Sequence, residues 1–205
     1  MLNRFARAFI TRLLTPVARV ALRLGLTPDM VTIFGTVGVC FGALAFFPRH
    51  EFLTGTLVIV LFVFSDTLDG TMARLSGRTS RWGAFLDSTL DRVGDGAVFG
   101  GLLLCFAAIP GGELTAWFAL ACLVFGFVTS YARARAEGLG ITAAQTGIAE
   151  RADRLLVTLV ATCLTGLFGL PDMVLTVTLG LLALASAVTV LQRMLAVRRH
   201  ILTTS

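Results

Sequence analysis

Lysine is missing from this chain of 205 residues, whose 17 basic side chains are all arginine. Codon bias in a GC-rich genome is one explanation, so it is the placement of the arginines that carries information. Charge of either sign is scarce, with 14% of residues charged against 56% hydrophobic. Soluble domains hold about 25% charged residues, which excludes an ordinary cytosolic fold. Disorder needs low hydrophobicity and high charge, and is excluded by the same numbers. Cysteine is also sparse: Cys40, Cys105, Cys122 and Cys163 each lie in an apolar run, and none forms a CxxC pair. They read as small core residues, neither disulfides nor metal ligands.

The chain does have long apolar runs. A membrane helix takes about 20 mainly apolar residues, and six segments qualify if functional charges are allowed inside them. They cover roughly residues 30–47, 52–75, 83–109, 114–131, 154–170 and 173–197. The expected fold class is an all-α integral membrane protein of six transmembrane helices plus an N-terminal amphipathic interfacial helix. Residues 1–26 would form the juxtamembrane segment and residues 27–205 a single six-helix bundle. In the first segment Leu2, Phe5, Phe9, Ile10, Leu13 and Leu14 fall on one helical face, with Arg4, Arg7 and Arg12 opposite. That pattern suits a helix lying on anionic lipid; an organellar transit peptide is the other reading of an arginine-rich, acid-free start.

Arginine placement sets the orientation. Arg49 alone lies in the turns at Pro48–Glu51, Pro110–Glu113 and Pro171–Asp172, and the other sixteen basic residues lie at the opposite ends of the spans. The positive-inside rule then puts both termini and the 76–82 and 136–150 loops in the cytoplasm. A cell-membrane location with a cytoplasmic site is expected.

Asp66, Asp69, Asp87, Asp91 and Asp95 are five of the twelve acidic residues, and they fall within thirty positions. An aspartate near a helix centre costs about 2.5–3.5 kcal/mol to insert, so something must offset this group. Asp66 and Asp69 are three residues apart and Asp87 and Asp91 four, so each pair shares one helix face. A short loop makes the two helices antiparallel neighbours, with both pairs at similar depth in one half of the membrane. Four converging carboxylates repel unless cations lie between them, and hard oxygen donors suit Mg²⁺ or Mn²⁺. The alternatives are pairing with Arg74 and Arg92, or a divalent-cation transport path. A path would spread its acidic groups across the bilayer, and these are clustered. Asp95 continues the stripe as either a ligand or a packing and supporting group.

Asp66-Thr-Leu-Asp69-Gly70-Thr-Met-Ala73-Arg74, followed by Gly83, Asp87 and Asp91 at fixed spacing, resembles the signature of the CDP-alcohol phosphotransferases. The resemblance implies transfer of a substituted phosphate from a CDP-linked lipid to an alcohol, with release of CMP. Asp66, Asp69, Asp87 and Asp91 would hold two metal ions, and Asp91 would also be the catalytic base. Gly70 and Ala73 are small enough for a nucleotide to come close. Arg74 would hold a phosphate or balance the aspartates. Asp29, Met30, Val31 and Thr32 open the first span in a segment similar to the family's Thr-Pro-Asn element, with Asp29 in place of Asn. Their backbone N–H groups either face the nucleotide or simply begin a helix. Ser80 either binds the same ligand or is a solvated loop hydroxyl.

Arg133, Arg135, Arg151, Arg154 and Arg193 are expected at the level of the aspartates. Each can be a membrane anchor, but five around one opening suit an anion pocket, because guanidinium forks match phosphate oxygens. An acceptor that already carries phosphate follows from that reading. The Ser130–Glu137 and Glu150–Arg154 segments resemble those of actinobacterial family members whose acceptor is 1D-myo-inositol 3-phosphate; members using glycerol 3-phosphate are the alternative. The implied partners are CDP-diacylglycerol, inositol phosphate, membrane lipid and a second copy of the chain, with no nucleic acid.

Overall fold

The computed structural model describes residues 15–77, 80–141 and 147–204, apart from the side chains of Asp66 and Thr204. The expected face of Leu2–Leu14 lies outside the described residues. Six long helices are described: α1 Pro28–Phe46, α2 Phe52–Ser76, α3 Arg81–Ala107, α4 Glu113–Gly138, α5 Arg151–Phe168 and α6 Met173–Thr204. Residues 15–23 are also helical, and Ala18 and Ala21 are buried there against Met72 of α2. Among the described residues there is no strand.

Local chemistry sets several of these boundaries. Thr27 caps α1 by accepting the Met30 N–H at 3.2 Å, and Pro28 occupies the first turn, where a missing N–H costs nothing. Gly77 ends α2 at φ +65°, a left-handed conformation that other residues resist. Ser80 starts α3 by accepting the Gly83 N–H at 2.9 Å. Ahead of α5, the Glu150 N–H donates to the Asp153 carboxylate at 3.1 Å, fixing the helix start and with it Arg151.

The helices pack as a closed ring in the order α1, α3, α4, α6, α5, α2 and back to α1. Phe47, Phe52, Phe99, Leu102 and Phe106 fill the core. Threonine pairs join neighbours, Thr56 to Thr162 at 2.7 Å and Thr115 to Thr176 at 2.6 Å, as suits helices that gain no hydrophobic drive from one another in lipid.

Helices α1, α2, α4 and α6 are long and apolar enough to cross a membrane, so the chain is a multi-pass helical membrane protein. Helix α3 carries Arg81, Asp87, Asp91, Arg92 and Asp95 between its start and its middle, and the short α5 carries Arg151, Asp153 and Arg154 in its first turn. Those charges keep both below the same apolar measure. Helices α4 and α6 also run past the expected ends, into the arginine-bearing segments.

The approach of α1 to α2 positions the site. A Cβ on Gly35 would strike Ser65, and one on Gly38 would fall within the Phe62 ring. Gly38→Val should therefore cost about 1–3 kcal/mol by overpacking. Thermal unfolding in detergent checks this, and an unchanged midpoint would mean that the two helices do not need this closeness.

Candidate active site

Where α1 begins, α2 ends and α3 begins, a cavity of about 270 Å³ opens. Asp29 and Thr32 line it from α1, Asp69, Gly70 and Ala73 from α2, and Gly83 and Asp87 from α3, with Ser80 at the α3 cap. Residues that the sequence spreads over nearly sixty positions thus surround one space. A Cβ on Gly70 would meet only the Arg74 guanidinium, at 3.5 Å, so the α2 backbone is open to a ligand here. Arg74 donates to Thr71 at 3.1 Å and, among the described residues, forms no ion pair. Gly83 and Ala84 also line the cavity. Gly83 was visible in the motif, whereas nothing in the sequence marked Ala84.

Of the two readings of Asp29–Thr32, the helix start is what Met30 and Val31 show. The Met30 N–H is taken by the Thr27 hydroxyl and the Val31 N–H by the Thr27 carbonyl at 3.2 Å. Met30 is exposed, and Val31 packs beside Leu68. Asp29 and Thr32 are the residues of this segment that line the cavity. The Thr32 hydroxyl bonds the Asp69 carboxylate, holding that acid on the α1 side. Ser80 both caps α3 and lines the cavity.

A smaller space of about 50 Å³ lies deeper, lined by Thr32, Thr36, Ser65, Asp91, Asp95 and Arg151 among others. Thr32 borders both spaces. The Asp91 carboxylate pairs with Arg151 at 2.9 Å and with Arg92 at 3.6 Å. Asp95 pairs with the same two guanidiniums, at 3.0 Å and 3.8 Å. Arg92 also donates to Ser130 of α4. Pairing of the aspartates with Arg92 is therefore present, at Asp91 and Asp95. Arg151 is the partner that sequence spacing had not offered.

Hard carboxylate oxygens are the donors that a divalent cation requires. Asp69 and Asp87 share the larger cavity, Asp91 lies one turn along α3, and Asp66 lies one turn before Asp69 on α2. Among the described side chains no three acidic, histidine or cysteine residues form a cluster that could hold a metal; the Asp66 side chain is outside that set. The donor chemistry and the shared cavity fit a cation.

The five arginines do not form one ring. Arg151 is at the deep aspartates. Arg154 is buried, with its guanidinium facing Gly126, and donates to the Ala149 carbonyl at 3.3 Å. Arg193 is buried on the Thr129 carbonyl at 2.8 Å. Together with Arg135 it lines a largely apolar groove of about 530 Å³ between α4 and α6. Arg133 is half-exposed, paired with Glu137 at 2.9 Å.

Comparison with known proteins agrees with the motif. The sequence profile of the CDP-alcohol phosphatidyltransferase family matches residues 25–150. A phosphatidylinositol phosphate synthase of Streptomyces avermitilis is 53% identical over 98% of this chain and 84% of its own length. One from Cutibacterium acnes is 51% identical over 97% of this chain and 98% of its own. Among solved structures, the Mycobacterium tuberculosis phosphatidylinositol phosphate synthase with CDP-DAG bound superposes with a TM-score of 0.86 at 43% identity, covering 91% of this chain and 94% of that one. A crystal of the same enzyme with manganese and citrate gives a TM-score of 0.86 at 43% identity, over 90% and 88%.

Proposed function

The chain belongs to the CDP-alcohol phosphatidyltransferase family, and from that premise we propose that it joins CDP-diacylglycerol to 1D-myo-inositol 3-phosphate, giving phosphatidylinositol phosphate and CMP. The observation that carries this reading is the cavity gathering Asp69, Gly70, Ala73, Gly83 and Asp87 in front of the arginine-linked Asp91. The names of the relatives support the choice of acceptor.

In the reaction an acceptor hydroxyl attacks the phosphorus that bears the diacylglycerol. The new P–O bond forms as the bond to the CMP oxygen breaks, and the hydroxyl proton passes to Asp91. Asp66, Asp69, Asp87 and Asp91 would hold two divalent cations, Mg²⁺ or Mn²⁺, which when bound supply charge neutralisation for the pyrophosphate and the leaving CMP. Thr32 keeps Asp69 oriented through its hydrogen bond. Gly70 and Ala73 let the cytidine phosphates lie close to α2, with Arg74, Asp29 and Ser80 around them. Arg151, at the deep end, faces the acceptor phosphate, and Arg133, Arg135, Arg154 and Arg193 make that side of the bundle positive.

The whole chain forms one membrane domain of six spans in the cell membrane. Its termini and site are cytoplasmic, as the sixteen clustered arginines favour, and it pairs as a homodimer. Phosphate-bearing substrates belong on that side, since CDP-lipids and sugar phosphates carry charges that do not cross the bilayer core.

An acceptor panel tests this function. Purified protein with CDP-diacylglycerol and Mg²⁺ should release CMP with inositol 3-phosphate, and far less with glycerol 3-phosphate, free inositol or serine. Consumption of glycerol 3-phosphate alone would overturn the inositol assignment. Cation flux through liposomes without CMP release would overturn the enzyme reading.

A further inference from the structure

Asp95 lies outside the family motif, yet it is one of the few charged side chains that the bundle buries, at 7% exposure. Burial of a carboxylate persists only where the charge is compensated, and two guanidiniums compensate this one. Arg151 donates its Nε–H to Asp95 Oδ1 at 3.0 Å, and Arg92 reaches Asp95 Oδ2 at 3.8 Å. Each arginine is fixed a second time: Arg92 by Ser130 of α4, and Arg151 by its place at the capped start of α5. Asp95 thus joins α3 to both neighbouring walls of the deep space.

Arg151 is the informative partner. Its guanidinium has five N–H groups in a rigid fork. The Nε–H is used on Asp95, and Nη1 lies 2.9 Å from Asp91. With Nε and Nη1 each held by a carboxylate, the plane of the guanidinium is set and Nη2 carries the N–H groups left over. If Asp95 lost its charge, Arg151 would keep Asp91 as its nearest anion, and the contact that sets the plane would lose its charge assistance. A planar fork binds phosphate well only when its orientation is set beforehand.

We propose that Asp95 is a positioning residue for the acceptor: it anchors Arg151 through Nε so that the Nη2 side of the guanidinium meets the phosphate of the incoming alcohol phosphate. This rests on the function proposed above, and in particular on Arg151 facing the acceptor. Asp95 itself touches neither substrate. It stands outside the four motif aspartates, of which Asp91 shares the same two guanidiniums.

The test is steady-state kinetics of Asp95→Asn in the full-length, detergent-purified protein, with each substrate varied in turn. The KM for inositol 3-phosphate should rise about tenfold, the size expected for one charge-assisted hydrogen bond. The KM for CDP-diacylglycerol and the half-saturating Mg²⁺ concentration should stay within about twofold. Asp95→Glu, which keeps the charge, should recover most of the loss. Added to Arg151→Gln, Asp95→Asn should cause little further change, because both remove one interaction. A fall in kcat with both KM values altered would show a merely structural role and overturn the proposal. So would a shift in Mg²⁺ requirement alone, which would make Asp95 a ligand. If Asp95→Asn does not fold, Arg151→Lys, which keeps the charge but loses the Nε contact, should raise the acceptor KM alone; an unchanged KM there overturns the proposal too. The function fails separately: wild-type turnover of inositol 3-phosphate with no KM shift in the variants refutes only the positioning role. No wild-type turnover of that acceptor refutes the function beneath it.

Discussion

Asp91→Asn should lower CMP release by about 10²–10⁴-fold, the usual contribution of a positioned general base, while leaving the thermal midpoint in detergent nearly unchanged. Asparagine matches aspartate in shape, so the packing of α3 should survive. The carboxamide still accepts a hydrogen bond from Arg151, which remains tied to Asp95. What is lost is the group that accepts a proton and one of the hard anionic donors beside the cavity. Single-turnover release of CMP from bound CDP-diacylglycerol, with inositol 3-phosphate in excess, measures the chemical step directly. Turnover near wild-type in a folded Asp91→Asn protein would refute the base assignment. A loss that excess Mg²⁺ or Mn²⁺ restores would make Asp91 a metal ligand and no more.

The sequence made the elements legible because their signals are local. Pro28 after Thr27, Gly77 after the α2 motif and Ser80 before α3 mark boundaries through short-range backbone chemistry. The i,i+3 and i,i+4 aspartates could be placed on shared faces for the same reason. Pairings between distant residues were not legible. Thr32 and Asp69 are 37 positions apart and meet because glycines draw α1 onto α2. Arg151 and Asp95 are 56 apart and meet because α5 closes the ring.

The arginines show the same limit from another side. Hydropathy sets the level of a residue along the bundle axis but not its direction around it. Arg133, Arg135, Arg151, Arg154 and Arg193 were expected in one pocket because they share a level. The ring order instead divides them between the deep aspartates, the buried contacts at Gly126 and Thr129, the α4–α6 groove and the surface. The charges within α3 and α5 follow a related rule. Asp87, Asp91 and Arg151 lie within these two helices and lower their apolar count.

Asp69→Ala should abolish turnover by about 10³-fold or more, since losing a carboxylate that holds a catalytic cation removes several kcal/mol of transition-state stabilisation. Asp69 is the described motif acid that both lines the larger cavity and is held from another helix, by the Thr32 hydroxyl. Its removal takes a donor from the site and leaves Thr32 its bond to the Pro28 carbonyl at 3.0 Å. The hydroxyl is therefore not stranded, and the fold should persist with only a modest fall in thermal midpoint. Thr32→Val separates the two effects. It deletes the hydrogen bond but keeps the carboxylate, so activity should fall about tenfold, the value of one charge-assisted hydrogen bond, with a higher Mg²⁺ requirement. CMP release measured across a Mg²⁺ titration for wild type, Thr32→Val and Asp69→Ala should show that graded order. Equal activity of Asp69→Ala and wild type at saturating Mg²⁺ would place the cation elsewhere and detach the larger cavity from the chemistry.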